Sequence, residues 1–179
     1  MCSSSMKKTA IAYWLIPAEP ARSFFNRTII DLARRYNAPV FEPHMTIYVG
    51  SDRVEAEDVI AKAVSGCRLV QAKMLKVCQS GEFIKTLFVQ FAMDRKLQQL
   101  NEMIRDAAQD SSDYQLKPHL SLLYKKMSIL ERRQLAHSIK LPFLEAIFDS
   151  IKAVRCTSPT RNRADVEAWR VVVAKSLGE

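Results

Sequence analysis

Residues 43–49 read Pro-His-Met-Thr-Ile-Tyr-Val and residues 118–124 read Pro-His-Leu-Ser-Leu-Leu-Tyr, and the placement of these two stretches decides the fold. Each opens with Pro-His, carries a hydroxyl residue two positions after the histidine, and continues as an apolar run of strand length. Alternate side chains of a strand share a face, which puts His44, Thr46 and Tyr48 on one side and Met45, Ile47 and Val49 on the other. The same rule puts His119, Ser121 and Leu123 together, opposite Leu120 and Leu122. Each strand then presents an imidazole and a hydroxyl about 7 Å apart. Strict alternation turns Tyr124 away from His119, unless the strand bends or ends before it.

Working outward, the apolar segment 9–16 reads as a buried strand that Pro17-Ala18-Glu19-Pro20 stops, and a helix follows to about Tyr36. The first Pro-His strand comes next, then a short helix over 55–64 and two strands near 69–78 and 83–93 joined through Ser80-Gly81. Asp94 is placed to cap a helix with Leu97, Leu100, Met103, Ile104 and Ala107 on one stripe, ahead of the second Pro-His strand. Ser128 caps a helix to about Ile139, and two final strands, 143–156 and 166–177, flank the polar turn TSPTRNRAD at 157–165. The two halves therefore share an order of elements. With 4 Gly and 7 Pro and no Gly/Ser-rich linker, residues 1–179 are expected to form a single α+β domain with antiparallel pairing, residues 1–7 being a disordered lead.

The formal net charge of +8 favours anionic ligands, although it also serves solubility. Cys2, Cys67, Cys78 and Cys156 contain no CxxC pair, so a zinc site and a disulfide scaffold are both disfavoured, and reduced thiols in the cytoplasm are expected. Lys7-Lys8 and the apolar run 11–16 imitate a signal peptide, but Pro17 interrupts it before a cleavage site. No run reaches the roughly 18 apolar residues of a membrane span.

Two imidazoles with no third metal ligand beside them fit metal-independent acid/base chemistry at phosphorus. In-line displacement needs a proton removed from the attacking water on one side and donated to the departing oxygen on the other. Imidazole titrates near neutrality and serves in both roles. Thr46 and Ser121 can donate hydrogen bonds to the non-bridging oxygens. Metal ligation and partly buried structural histidines are the alternatives; His137, beside Arg132 and Arg133, reads as a solvated helix face.

At these residues the sequence resembles the two-histidine (2H) phosphoesterase superfamily, and within it the cyclic nucleotide phosphodiesterase branch, through the blocks AYWLIP (12–17), FEPHMTIYVG (41–50) and KPHLSLLY (117–124). The resemblance implies a bilobal α+β fold, two pseudo-symmetric lobes of antiparallel sheet with outer helices around a central cleft. It implies His44, Thr46, His119 and Ser121 as the catalytic four, with His119 as base and His44 as acid. The implied reaction opens a nucleoside 2′,3′-cyclic phosphate to the 2′-phosphate, or ADP-ribose 1″,2″-cyclic phosphate, with no cofactor. Trp14 and Tyr124 become candidates for substrate binding, and Phe83, Lys85 and Thr86 for the rim. Lys117, Lys125, Lys126, Arg161 and Arg163 are candidates to steer a phosphate or an RNA end. Expected partners are a small cyclic-phosphate nucleotide or an RNA end, without membrane association, the protein acting as a monomer. The alternatives are a 2′-5′ RNA ligase or RNA-end phosphodiesterase, and a non-catalytic nucleotide- or RNA-binding module. The turn at 157–165 has no counterpart in the resemblance.

Overall fold

A computed structural model describes residues 7–65 and 67–178. The first apolar run forms β1 (Lys8–Pro17), buried without interruption from Ala10 onward. It tolerates burial on both faces because both of its edges are hydrogen-bonded, to β2 (Met45–Gly50) on one side and to β6 (Glu145–Ser158) on the other. Between β1 and β2 runs α1 (Ala21–Tyr36), which buries Phe25, Ile29, Leu32 and Ala33 and ends on Asn37 at φ 49°, a left-handed position that asparagine tolerates.

The chain continues through α2 (Ala56–Ala63), β3 (Val70–Gln79), a short 3-10 turn (Phe83–Lys85) and β4 (Leu87–Phe91). Then come α3 (Arg95–Ala108), β5 (His119–Leu123), α4 (Ile129–Ser138), β6, α5 (Arg163–Glu167) and β7 (Arg170–Ser176). Both expected caps are present: Asp94 Oδ1 accepts the Leu97 N–H at 2.8 Å, and Ser128 forms a reciprocal capping box with Glu131.

The unit strand-helix-motif strand-helix-strand occurs twice, as β1-α1-β2-α2-β3 and β4-α3-β5-α4-β6, with α5 and β7 appended. The halves interlock. β1 pairs with β2 and with β6 of the second half, while β4 pairs with β5 and with β3 of the first. The helices cross in the same way, α1 packing on β5 and α3 on β2. The result is two antiparallel lobes, β2-β1-β6-β7 and β5-β4-β3-β6, sharing the long strand β6. Along their motif strands the lobes are joined by the single pair Met45 and Leu120, so the two Pro-His segments lie side by side.

Two expectations need correction. The polar turn at 157–165 is not a plain loop into a strand at 166: the Asn162 side chain accepts the Asp165 N–H at 3.0 Å and starts α5, so the last strand begins at Arg170. Lys7, assigned to the lead, is held by the Asp165 carboxylate at 2.7 Å; residues 1–6 lie outside the described residues. Among the described residues, no helix is long and apolar enough to cross a membrane.

Candidate functional site

His44 and His119 face one groove of about 310 Å³ between the lobes, together with Thr46 and Ser121. The two histidines are held alike. His44 Nδ1 lies 2.6 Å from the Glu42 carbonyl oxygen, and His119 Nδ1 lies 2.6 Å from that of Lys117. In each case the carbonyl belongs to the residue before the proline, which the proline ring keeps extended. A carbonyl only accepts, so Nδ1 carries the proton in both rings and Nε2 remains for chemistry.

Beyond the hydroxyl residues the alternation breaks, at the same place in both strands. In β2, Tyr48 pairs with Tyr13 and Thr46 with Trp14, leaving Ile47 as an extra residue. In β5, Leu123 pairs with Leu87 and Ser121 with Phe88, leaving Leu122 extra. Each extra residue is a bulge that shifts the following side chains to the other face. Tyr48 and Leu123, expected beside the histidines, therefore enter the core, while Val49 and Tyr124 line the groove. The bulge supplies the bend that Tyr124 required. Groove positions run His44, Thr46, Val49 in one lobe and His119, Ser121, Tyr124 in the other.

The aromatic surroundings differ between the two rings. Trp14 stacks on His44 with centroids 3.6 Å apart and planes 11° apart, and Trp169 meets the same imidazole edge-on at 5.8 Å. His119 meets Phe88 edge-on at 5.6 Å. Tyr124 stacks on Phe41 at 4.0 Å, and at 3% exposure it forms the groove floor. Trp169 carried no motif signal in the sequence: the segment around it read as a strand, whereas it sits between α5 and β7 and lines the groove. Ser112, Asp113 and Tyr114 also line it, held down by hydrogen bonds from Ser112 Oγ to the Val49 carbonyl (2.8 Å) and from the Tyr114 hydroxyl to the Thr46 carbonyl (3.1 Å).

Several rim candidates are placed elsewhere. Thr86 is a buried staple: its hydroxyl binds the Lys125 carbonyl at 2.7 Å and receives the Lys125 N–H at 3.1 Å, tying the 3-10 turn to the end of β5. Phe83 packs against Tyr124, so Ile84 is the turn residue that lines the groove, its carbonyl accepting the Ser121 hydroxyl at 2.9 Å. Lys125 and Arg163 both donate to the Asn37 carbonyl, and none of Lys117, Lys125, Lys126, Arg161 and Arg163 lines the groove. Among the described residues, no three His, Cys, Asp or Glu side chains gather as a metal site.

Burial depresses both imidazoles. It pushes His44 from 6.5 to about 3, against the Glu42 carbonyl and with a smaller push from His119. His119 is also lowered, first by burial and then by the Lys85 ammonium, while the Lys117 carbonyl and Glu82 oppose the shift. Because the folded value of His44 lies below the unfolded one, its contribution to stability is complete above about pH 6.5 and is lost as the pH falls toward 3. The slope for one such group is about 1.4 kcal/mol per pH unit. The stability gap between wild type and His44→Gln, read by chemical denaturation, is therefore expected to narrow steadily from pH 6.5 to pH 5; a constant gap would refute the buried neutral ring.

An interlocked pair of lobes with one Pro-His-x-hydroxyl strand from each half defines a two-histidine phosphoesterase. The sequence model of the family described as "Cyclic phosphodiesterase-like protein" matches residues 9–177, and the chain belongs to that family. A cyclic phosphodiesterase of Arabidopsis thaliana is 23% identical over 181 residues, covering 96% of this chain and 97% of that one. Among solved structures, E. coli LigT complexed with 3′-AMP superposes with a TM-score of 0.59 at 14% identity, covering 96% of this chain and 99% of LigT. A structure described as a phosphoesterase also gives 0.59, at 13% identity, covering 96% of this chain and all of its own. The two structural likenesses speak for the fold.

Proposed function

We propose that the protein hydrolyses cyclic phosphodiesters of nucleosides without a metal, opening 2′,3′-cyclic phosphates to 2′-phosphates and acting on ADP-ribose 1″,2″-cyclic phosphate. The observation that carries this reading is the matched pair of imidazoles in one groove, both pinned through Nδ1 and each beside a hydroxyl. The curated cyclic phosphodiesterase relative supports the same chemistry.

In the proposed reaction one Nε2 takes a proton from water as its oxygen attacks phosphorus. The P–O bond to the 3′ oxygen breaks on the opposite side, and the second imidazolium gives that oxygen its proton. The Thr46 and Ser121 hydroxyls donate to the non-bridging oxygens; for Ser121 this means exchanging the Ile84 carbonyl for phosphate. His44 is the more deeply buried ring and resists protonation, so it is assigned as base and His119 as acid, reversing the roles that the resemblance suggested.

The test is a panel of 2′,3′-cyclic mononucleotides, ADP-ribose cyclic phosphate and RNA with cyclic ends, incubated with the protein in EDTA and followed by phosphorus NMR. The expected product is the 2′-phosphate, with turnover unaffected by the chelator. Binding of nucleotides without turnover of any member would overturn the reading in favour of a non-catalytic module.

A further inference from the structure

His119 has a second open side. Away from the central groove it borders a cavity of about 390 Å³, with Leu75, Lys85, Phe88, Met93 and Lys117 around it. Leu75 and Met93 are each 49% exposed, and with the half-buried Phe88 they line this one cavity, a contiguous apolar wall rather than scattered side chains. Lys85 Nζ stands 5.0 Å from the centre of the Phe88 ring, and Lys117 is exposed.

Comparison of the two lobes shows what is unusual about this wall. Trp14 faces Thr46 on β1 as Phe88 faces Ser121 on β4. On the first wall Trp169 covers Trp14 edge-on at 5.1 Å. On the second, Lys85 is the side chain over the ring, and the apolar surface beside it is open. One wall of the active groove is closed by an indole, and the equivalent wall leads outward past a catalytic histidine.

Resting on the cyclic phosphodiesterase reading, we propose that this cavity is a second subsite, which binds the nucleotide unit attached through the 5′-phosphate of the reacting ribose. The wall offers what such a unit needs: apolar side chains for a base or ribose face, and two ammonium groups for the connecting phosphate. An oligonucleotide ending in a cyclic phosphate and ADP-ribose cyclic phosphate both present this chemistry, whereas a cyclic mononucleotide does not. The protein thereby distinguishes a cyclic phosphate carried on a longer molecule from a free one.

The experiment compares kcat/KM for adenosine 2′,3′-cyclic phosphate, the dinucleotide ApA 2′,3′-cyclic phosphate and ADP-ribose 1″,2″-cyclic phosphate. Wild type, Leu75→Asp/Met93→Asp and Lys85→Ala are each assayed, and the readout is the ratio of extended to free substrate. The wild-type ratio is expected to be about 10-fold or more for at least one extended substrate and to fall toward one in both variants. The substrate that shows the preference identifies which source the subsite serves. A wild-type ratio near one for both, or a ratio that the variants leave unchanged, overturns the subsite while leaving the cyclic phosphodiesterase reading standing. Should no substrate turn over, calorimetric affinities of ApA 2′-phosphate and adenosine 2′-phosphate for the same three proteins give the ratio directly, with the same two outcomes deciding it.

Discussion

His44→Ala and His119→Ala are each expected to lower kcat for a 2′,3′-cyclic nucleotide by about 10²- to 10⁴-fold, the range of a positioned acid or base, with a much smaller change in KM. A ring that moves a proton contributes mainly in the transition state, whereas ground-state binding rests on the groove as a whole. The two losses should not multiply, because one proton transfer without the other leaves the displacement incomplete. Removing His44 opens space beside Trp14 and Trp169, so His44→Gln serves as the control that fills the site without titrating. A substrate with sulfur in place of the 3′ oxygen separates the roles, since a thiolate leaves without a proton. Activity of His119→Ala is expected to recover on that substrate and activity of His44→Ala is not. Recovery of His44→Ala alone would restore the opposite assignment. Full activity of either alanine variant on the natural oxygen substrate would refute two-histidine catalysis.

The free-enzyme pH profile follows from the same two rings. The proposed reaction starts with His44 neutral and His119 protonated, and burial lowers both values below 6.5, that of His44 to about 3. The optimum of kcat/KM therefore lies on the acid side of neutrality. A bound phosphate, being anionic, raises both values, so the profile of kcat is displaced upward from that of kcat/KM.

Most of the arrangement could be read from local sequence. Pro-His followed by an apolar run places each histidine at the start of a strand, and Asp94 and Ser128 mark the starts of α3 and α4 because a cap is a contact over three residues. What escaped depends on contacts distant in the chain. The bulges at Ile47 and Leu122 are defined by pairing with β1 and β4, so nothing within residues 44–49 reveals that Tyr48 and Val49 exchange faces. Trp169 escaped for a similar reason. It reaches the groove only because Asn162 and Asp165 fold the preceding turn into α5, and Asp165 is in turn held by Lys7, 158 residues away. The extra α5 and β7 also break the symmetry that the two motifs suggest, closing one wall of the groove and leaving the other open.

Trp14 is a core residue stacked on His44, and Trp14→Ala is expected to affect both stability and the proposed chemistry. The indole is 4% exposed and packs between His44 and Trp169, so its removal should cost about 3–5 kcal/mol of stability, read from the shift of a denaturation midpoint. It should also admit water to His44, whose depression comes chiefly from burial, and let its value climb from about 3 back toward 6.5. A base that protonates more easily is lost at higher pH. The acid limb of kcat/KM is therefore expected to move upward in the alanine variant, with the activity lost at pH 5 exceeding that lost at pH 7. The acid-induced loss of stability that His44 contributes should shrink at the same time, because its folded and unfolded values converge. Trp14→Phe keeps an aromatic face against the imidazole and should shift the limb less. If the midpoint falls while the pH profile stays in place, Trp14 is a packing residue alone, and the neutrality of His44 must come from the Glu42 segment and the rest of the groove.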